Sequence, residues 1–297
     1  MESLNTIELF CQCIKYISKT NISDFIPEAP VLQPVWDYLR KNHQDALRSP
    51  LFPVIISVST YFILCLFYMT LDFLSTVSPA LNRFRIHSEH PVKLQSILKA
   101  VQLTLFNHVV FVFPAAIAQW FWRPLLPLEA AAPTILEFTM GVLGCTILFD
   151  FQYYFWHMVH HKFRWLYVTF HAIHHEYYEP FCWVTQYMSV WELLSVGLWT
   201  TLDPIILQCH ALTGYAFMVF NIWISVDDHS GYDFPWSLHN LIPFGLWGGS
   251  VKHDTHHQRP TTNFEPFFSH WDWLCGTSSD HNHSSAMTVQ KRALYKY

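Results

Sequence analysis

From Phe52 to Leu71 the chain carries no charged side chain, and the run has the roughly 20-residue length a helix needs to cross a bilayer. A second apolar run, Leu103 to Trp122, contains His108 and Pro114, both tolerable in a helix packed among others. A third, Thr134 to Trp156, contains Glu137 and Asp150. Charge inside a span is expensive and points to function by default. Met188 to Val226 is apolar again but is interrupted by Asp203-Pro204 and Gly214. That pattern predicts a helical hairpin at about 188–226 that enters the membrane and returns, with Glu192 and Asp203 lining or capping it. Polar stretches separate the runs: 72–100, the Pro-rich turn 123–133, and 227–297. The expectation is an all-α, multi-pass membrane bundle. Residues 1–50 precede it, 51–156 hold three transmembrane helices, and 157–297 form the chemistry-bearing region.

Composition sharpens this. Charged residues make up 13% of the chain and aromatics 18%, against about 25% charged in ordinary soluble domains. Trp, Tyr and Phe at that density suit a membrane interface. The net charge of −5 provides no basic face for nucleic acid. Seven cysteines are dispersed through the chain, Cys11, Cys13, Cys65, Cys145, Cys182, Cys209 and Cys275, which makes a poor disulfide framework and predicts reduced, buried thiols. The start lacks a basic region followed by an apolar core, so no cleaved signal peptide is expected.

Histidine changes the picture most. His157-Met158-Val159-His160-His161, His171-Ala172-Ile173-His174-His175 and His253-Asp254-Thr255-His256-His257 form three clusters, with a lone His229 between them. Helical residues three and four apart share a face. So His171, His174 and His175 can aim at one point, as can His253, His256 and His257, and His157 pairs with His161. Imidazole suits Fe, Zn, Cu and Ni, and about eight ligands suit two ions better than one. A lone histidine is more often a hydrogen-bonded core or surface residue, but three clusters are not accounted for that way. A structural zinc site uses four ligands, often cysteines, and no C-x-x-C is present. Asp150, Tyr154, His157 and His161 fall on one helical face. Asp150 could therefore orient a ligand histidine, or could simply meet water at the membrane edge.

Arg83, Arg85, Lys93 and Lys99 occupy loop 72–100, whereas Arg123 is the basic residue of 123–133. The positive-inside bias puts loop 72–100, and with it every histidine cluster, in the cytosol. The N-terminus is then lumenal, and the sequon at Asn21 is a glycosylation candidate.

Trp156-His157-x-x-x-His161, His171-x-x-His174-His175-Glu176, Asp228-His229-Ser230-Gly231-Tyr232 and His253-Asp254-x-His256-His257 resemble the membrane-bound fatty acid hydroxylase/sterol desaturase superfamily. Thr185 to Glu192, Asn221-Ile222-Trp223 and Pro235-Trp236 resemble its cholesterol 25-hydroxylase branch. The likeness runs from about Asp150 to about Gly276. It implies a non-haem monooxygenase of the endoplasmic reticulum with two iron ions, fed by O2 and an NADPH-dependent electron-transfer chain. The substrate implied is cholesterol or a related sterol drawn from membrane lipid and hydroxylated at C25. The implied ligands are His157, His161, His171, His174, His175, His229, His253, His256 and His257. Asp150, His160 and Asp228 are candidates for the surrounding layer. Relatives acting on fatty acids carry one more histidine near the position of Ser225, so the coordination of the second metal stays open. His239, His281 and His283 fit no cluster and read as surface residues. Other sterol oxidases or desaturases share the same histidines. A transporter or receptor would also show apolar spans, and a zinc-dependent hydrolase would need no O2.

Overall fold

The structure, a computed structural model, describes residues 31–121 and 128–279. Asn21, His281, Asn282 and His283 lie outside them, as do Cys11 and Cys13. Helices are α1 (Gln33–Arg48), α2 (Leu51–Ser75), α3 (Leu94–Asn107), α4 (Ile135–Lys162), α5 (Val190–Ile206), α6 (Ala211–Asp228), α7 (Gly249–Gln258) and α8 (His270–Cys275), with short turns between them. Among the described residues β pairing is confined to two isolated bridges, Arg85 with Tyr232 and Trp247 with Phe268. The all-α expectation holds.

Among the described residues three rods are long and apolar enough to cross a membrane: Leu51–Ser75, Leu94–Phe121 and Ile135–Lys162. The second starts earlier than the apolar run predicts. Its polar first turns are still helix, and Lys99 within them reaches out to pair with Glu176. Beyond α3 the rod passes through a π turn, His108–Val112, into the helix Phe113–Ala118 that holds Pro114. Proline clashes with the carbonyl four residues back, and a π turn relieves such crowding without ending the helix. Glu137, in the first turn of the third rod, has a local partner. Thr134 Oγ1 accepts from Glu137 N–H at 3.2 Å and Glu137 Oε2 accepts from Thr134 N–H at 2.8 Å, a capping box that starts α4.

α5 and α6 form the predicted hairpin, turning through Leu207–His210. At 17 and 18 residues its helices are shorter than the three rods. A Cβ on Gly214 would lie 3.3 Å from Pro204 Cβ, so glycine permits the close crossing. Asp203 accepts from Gln152 Nε2 at 2.9 Å, tying α5 to α4. α6 is the central helix, packed against α2, α4, α5 and α7.

Large apolar side chains face outward as well as inward, and ionisable groups are buried among them. Phe73, Val109 and Leu198 are 70%, 63% and 54% exposed, whereas Asp150, Glu192 and His171 are 0% exposed. Outward side chains suit hydrocarbon, and buried ionisable groups must find partners inside. At one end α1 closes the bundle: Trp36 Nε1 donates to Glu129 O at 2.9 Å and Tyr215 Oη to Leu47 O at 2.7 Å. At the other end the segment after α2 folds over the histidine layer, with Ile86 N–H donating to Gly231 O at 2.9 Å and His87 meeting Asp254 Oδ1 at 2.7 Å. Of the described cysteines, Cys65, Cys145 and Cys182 are buried as expected, but Cys209 is half-buried and Cys275 exposed; all five are free.

Candidate metal centre

Nine histidines converge where α4, α6 and α7 meet the segment 163–189. They fall into two groups: His157, His161, His171, His175 and His256, then His174, His229, His253 and His257. This corrects the expectation that each H-x-x-H-H stretch aims at one point. His171 and His175 serve the first group while His174 serves the second, and α7 sends His256 to the first but His253 and His257 to the second. The division follows spacing: residues i and i+4 stay together while i+3 turns to the other group, both in α7 and, across the π turn Tyr167–His171 and the 3-10 turn His174–Glu176, in the second stretch. In α7 the helix is regular, and the two groups simply lie on either side of its buried face.

Within the first group Nε2 atoms approach at 2.9 Å (His157–His171 and His171–His175), 3.1 Å (His175–His256) and 3.2 Å (His157–His161). In the second, His229 Nε2 lies 3.1 Å from His174 Nε2 and 2.9 Å from His253 Nε2. The opposite ring nitrogens are committed as donors: His157 Nδ1 to Phe264 O at 2.9 Å, His256 to Thr262 O at 2.7 Å, His229 to Ser225 O at 2.7 Å and His257 to Tyr177 O at 3.0 Å. His171 Nδ1 donates to Glu192 Oε1 at 2.8 Å. A carbonyl only accepts, so these Nδ1 atoms hold the proton and the Nε2 atoms present bare lone pairs. Lone pairs facing each other at 2.9 Å repel unless a cation lies between them. Cis nitrogens about 2.1 Å from a first-row ion sit about 3.0 Å apart, which matches. His257 Nε2 is buried without a hydrogen-bond partner, again the state of a ligand. The donor set fits two metal ions.

Burial pushes the imidazoles of His171, His174, His175, His253 and His257 well below their ordinary value, and neighbouring imidazoles add to it. His229 and His256 are lowered to about 4, again chiefly by burial. All are therefore neutral at pH 7, as metal binding requires.

The surrounding residues differ from expectation. Asp150 holds no histidine; its Oδ1 accepts from the N–H groups of Phe267 and Phe268 at 3.1 and 2.9 Å and anchors the loop after α7. His160 stacks on Trp156 at 3.7 Å and its Nδ1 lies 2.7 Å from Trp156 O, away from both groups. Asp228 is buried beside His229 with Oδ1 unpartnered and touches the cavity described below. His239 is no surface residue: it packs over Gly249, whose φ of +67° and missing Cβ make room for the ring, and its Nε2 is 2.9 Å from Asp233 Oδ1. Glu192 is the residue that sequence reasoning missed. Ser189-x-x-Glu192 has the form of a capping box, and Ser189 does cap α5, but the carboxylate turns to His171 instead.

Two cavities flank the centre. One, of about 560 Å³, runs between α2, the second rod, α5 and α6, past Val58, Val112 and Leu198, and ends on His174, His229 and His253. Three members of the second group thus face an apolar passage from the membrane region. The other, of about 1370 Å³, is more polar and reaches His161, His175 and His257 past Arg85, Lys93 and Lys162.

Residues 142–277 match the family model described as fatty acid hydroxylase, a span that includes all nine histidines. The chain is 59% identical over 249 residues to "Cholesterol 25-hydroxylase-like protein 2" of Danio rerio, covering 84% of this chain and 89% of the relative. It is 48% identical to the "Cholesterol 25-hydroxylase" of Homo sapiens over 83% of this chain and 90% of that one. A Caenorhabditis elegans "Cholesterol 25-hydroxylase-like protein" is 32% identical over 88% and 86%. No solved structure matches.

Proposed function

The chain belongs to the fatty acid hydroxylase family, and from that premise we propose that it is a membrane-bound di-iron monooxygenase that hydroxylates a sterol, cholesterol at C25, using O2 and electrons from an NADPH-dependent chain. The ligands are the nine histidines of the two groups. One observation carries the reading: an apolar cavity opening among the spans ends on the four-histidine group. Its volume lies within the range of about 300–1,000 Å³ for small-molecule sites. The printed names of the relatives support the sterol. When bound, two iron ions supply the O2-derived oxidant that an unactivated C–H bond demands, which zinc, without redox chemistry, does not.

The chain's own residues do the rest. Glu192 and the carbonyls of Phe264, Thr262, Ser225 and Tyr177 fix five imidazoles in the tautomer that points Nε2 inward. Apolar walls from α2 and α5 exclude water and hold the ring system, so that the branched tail alone reaches His174, His229 and His253. Ser225, one turn before His229, is small enough to leave that passage open. Orientation of the tail, rather than activation of a particular bond, then selects the carbon. A transporter or receptor has no use for nine inward-facing imidazoles. The histidine layer lies beside the basic loop 72–100, which supports a cytosolic centre in the endoplasmic reticulum membrane.

Membranes containing the chain, given cholesterol under 18O2, test this. The expected product is a tail alcohol at C25 carrying 18O, identified by mass spectrometry. A new double bond, or a hydroxyl labelled only from water, refutes the hydroxylase. A labelled hydroxyl on the ring system keeps the chemistry and overturns the pose.

A further inference from the structure

Two amides in the apolar cavity have no role in holding the histidines. Asn221 is 2% exposed and Gln186 is 5% exposed, and both line the cavity that ends on His174, His229 and His253. Asn221 Nδ2 and Gln186 Oε1 are buried without a hydrogen-bond partner. Buried polar groups are otherwise almost always paired, so an unmatched donor and an unmatched acceptor on one cavity wall call for a ligand group that offers both. A hydroxyl is such a group: its oxygen accepts and its proton is donated.

Their position along the passage says which hydroxyl. His229 Nδ1 donates back to Ser225 O at 2.7 Å, so its ring lies along α6 at about the level of Ser225. Asn221 is the next turn along the same face, about 6 Å further at 1.5 Å per residue. Thr185 Oγ1 lies 3.5 Å from Ser225 O, and the segment Cys182–Gln186 packs on α6, which brings Gln186 alongside that turn. Thr104 Oγ1 donates to Gln186 O at 3.2 Å and Asn107 Nδ2 to Met188 O at 3.0 Å, so the backbone that carries Gln186 is fixed against the second rod. The amide pair therefore sits on backbone held against α6 and the second rod, with Asn221 about one helical turn beyond the His229 ring. It is not at the remote end, where the ring hydroxyl of a sterol that enters tail-first remains.

We propose that Asn221 and Gln186 form a hydroxyl-binding subsite for the oxygenated tail, so that the chain holds a tail alcohol more tightly than the tail-unsubstituted sterol. Asn221 Nδ2–H donates to the alcohol oxygen, and the alcohol proton is donated to Gln186 Oε1. The substrate tail, an alkane, satisfies neither amide. The consequence is retention of product: the alcohol competes with incoming sterol and slows turnover as it accumulates. This inference rests on the sterol reading above and adds a chemical preference to it.

The test is equilibrium competition on the purified full chain in micelles, with cholesterol and 25-hydroxycholesterol displacing a fluorescent sterol. Two neutral hydrogen bonds predict that the wild-type chain prefers the alcohol by about tenfold or more. Asn221→Leu with Gln186→Leu reduces the ratio to about one while cholesterol still binds. If that double variant does not fold, the wild-type ratio decides, together with the methyl ether of the alcohol, which has no proton to donate to Gln186, keeps only the bond from Asn221, and so shows a smaller preference than the alcohol. Equal binding of the two sterols by the wild-type chain, or a tenfold ratio that survives the double substitution, overturns the subsite. Failure of both sterols to displace the probe overturns the sterol reading itself and the subsite with it.

Discussion

Replacing Glu192 separates the two histidine groups experimentally. Its carboxylate is 0% exposed, and Oε1 accepts from His171 Nδ1 at 2.8 Å. In Glu192→Leu the Nδ1–H of His171 has no acceptor, and the ring gains from moving its proton to Nε2, the atom aimed at the metal. The hydrogen bond lost is one to a charged group, about 1.5–3 kcal/mol, or roughly 10- to 150-fold in affinity at tenfold per 1.4 kcal/mol. That agrees with the 10–100-fold typical of groups that orient a ligand. Glu192→Gln keeps an acceptor of the same length and loses only the charge, so about 1 kcal/mol, roughly fivefold, is expected. The effect falls on the five-histidine group alone, because Glu192 touches none of the other four. Purified protein would be equilibrated with Fe(II) over a wide range of concentrations and metal per chain counted by mass spectrometry, with a melting curve to show that the chain is folded. In Glu192→Leu one loading step moves to higher iron and the other stays. A folded variant in which neither step moves, or in which both move equally, refutes the assignment.

Three further outcomes follow from particular contacts and a fourth from the sequence. His174→Gln abolishes activity and lowers bound iron, whereas His160→Gln, which touches neither group, stays within severalfold of wild type; full activity in His174→Gln contradicts the ligand set. Asp150→Ala removes the acceptor of two backbone N–H groups and costs about 2–4 kcal/mol in the melting curve with iron per folded chain unchanged; a selective loss of iron would instead place Asp150 in the metal site. Chelated wild-type protein loses more stability than chelated His229→Gln as pH falls from about 6.5 toward 4, because His229 titrates near 4 when folded and near 6.5 when unfolded; an equal fall in the two refutes a buried neutral imidazole there. Glycan attaches at Asn21 and not at Asn282, although Asn282-His283-Ser284 is also a sequon, and a mobility shift abolished only by Asn282→Gln reverses the orientation.

The spans were legible because an uncharged apolar run about 20 residues long has few other uses. What blurred them was charge at their ends: Lys99 and Glu137 look like loop or function in sequence, yet one reaches away to Glu176 and the other caps α4. The histidines were legible as a set but not in their division, since helical spacing places residues three and four apart on one face without saying which of them meet the same ion. One-face reasoning put Asp150 inward with His157, and it is buried there. Its partners, however, are backbone amides in a loop 117 residues away, which no helical spacing can reveal. Glu192 was hidden for a similar reason, being 21 residues from His171 inside a motif with a sufficient local explanation.

The scatter of the histidines along the chain also bears on biogenesis. On the ligand assignment proposed here, the five-histidine group needs residues from His157 to His256 and the four-histidine group from His174 to His257. Neither can close until the ribosome has delivered α7, by which time α2 to α6 have already emerged. Until then the nascent bundle carries an open cap of unpaired imidazoles, and the segment that folds over it through His87 and Asp254 has nothing to rest on. Metal uptake is therefore the closing event of assembly, because binding to such a site is itself folding free energy. A cell starved of the metal would leave the spans in place and the cap unsealed, an open face that quality control can recognise as unfinished.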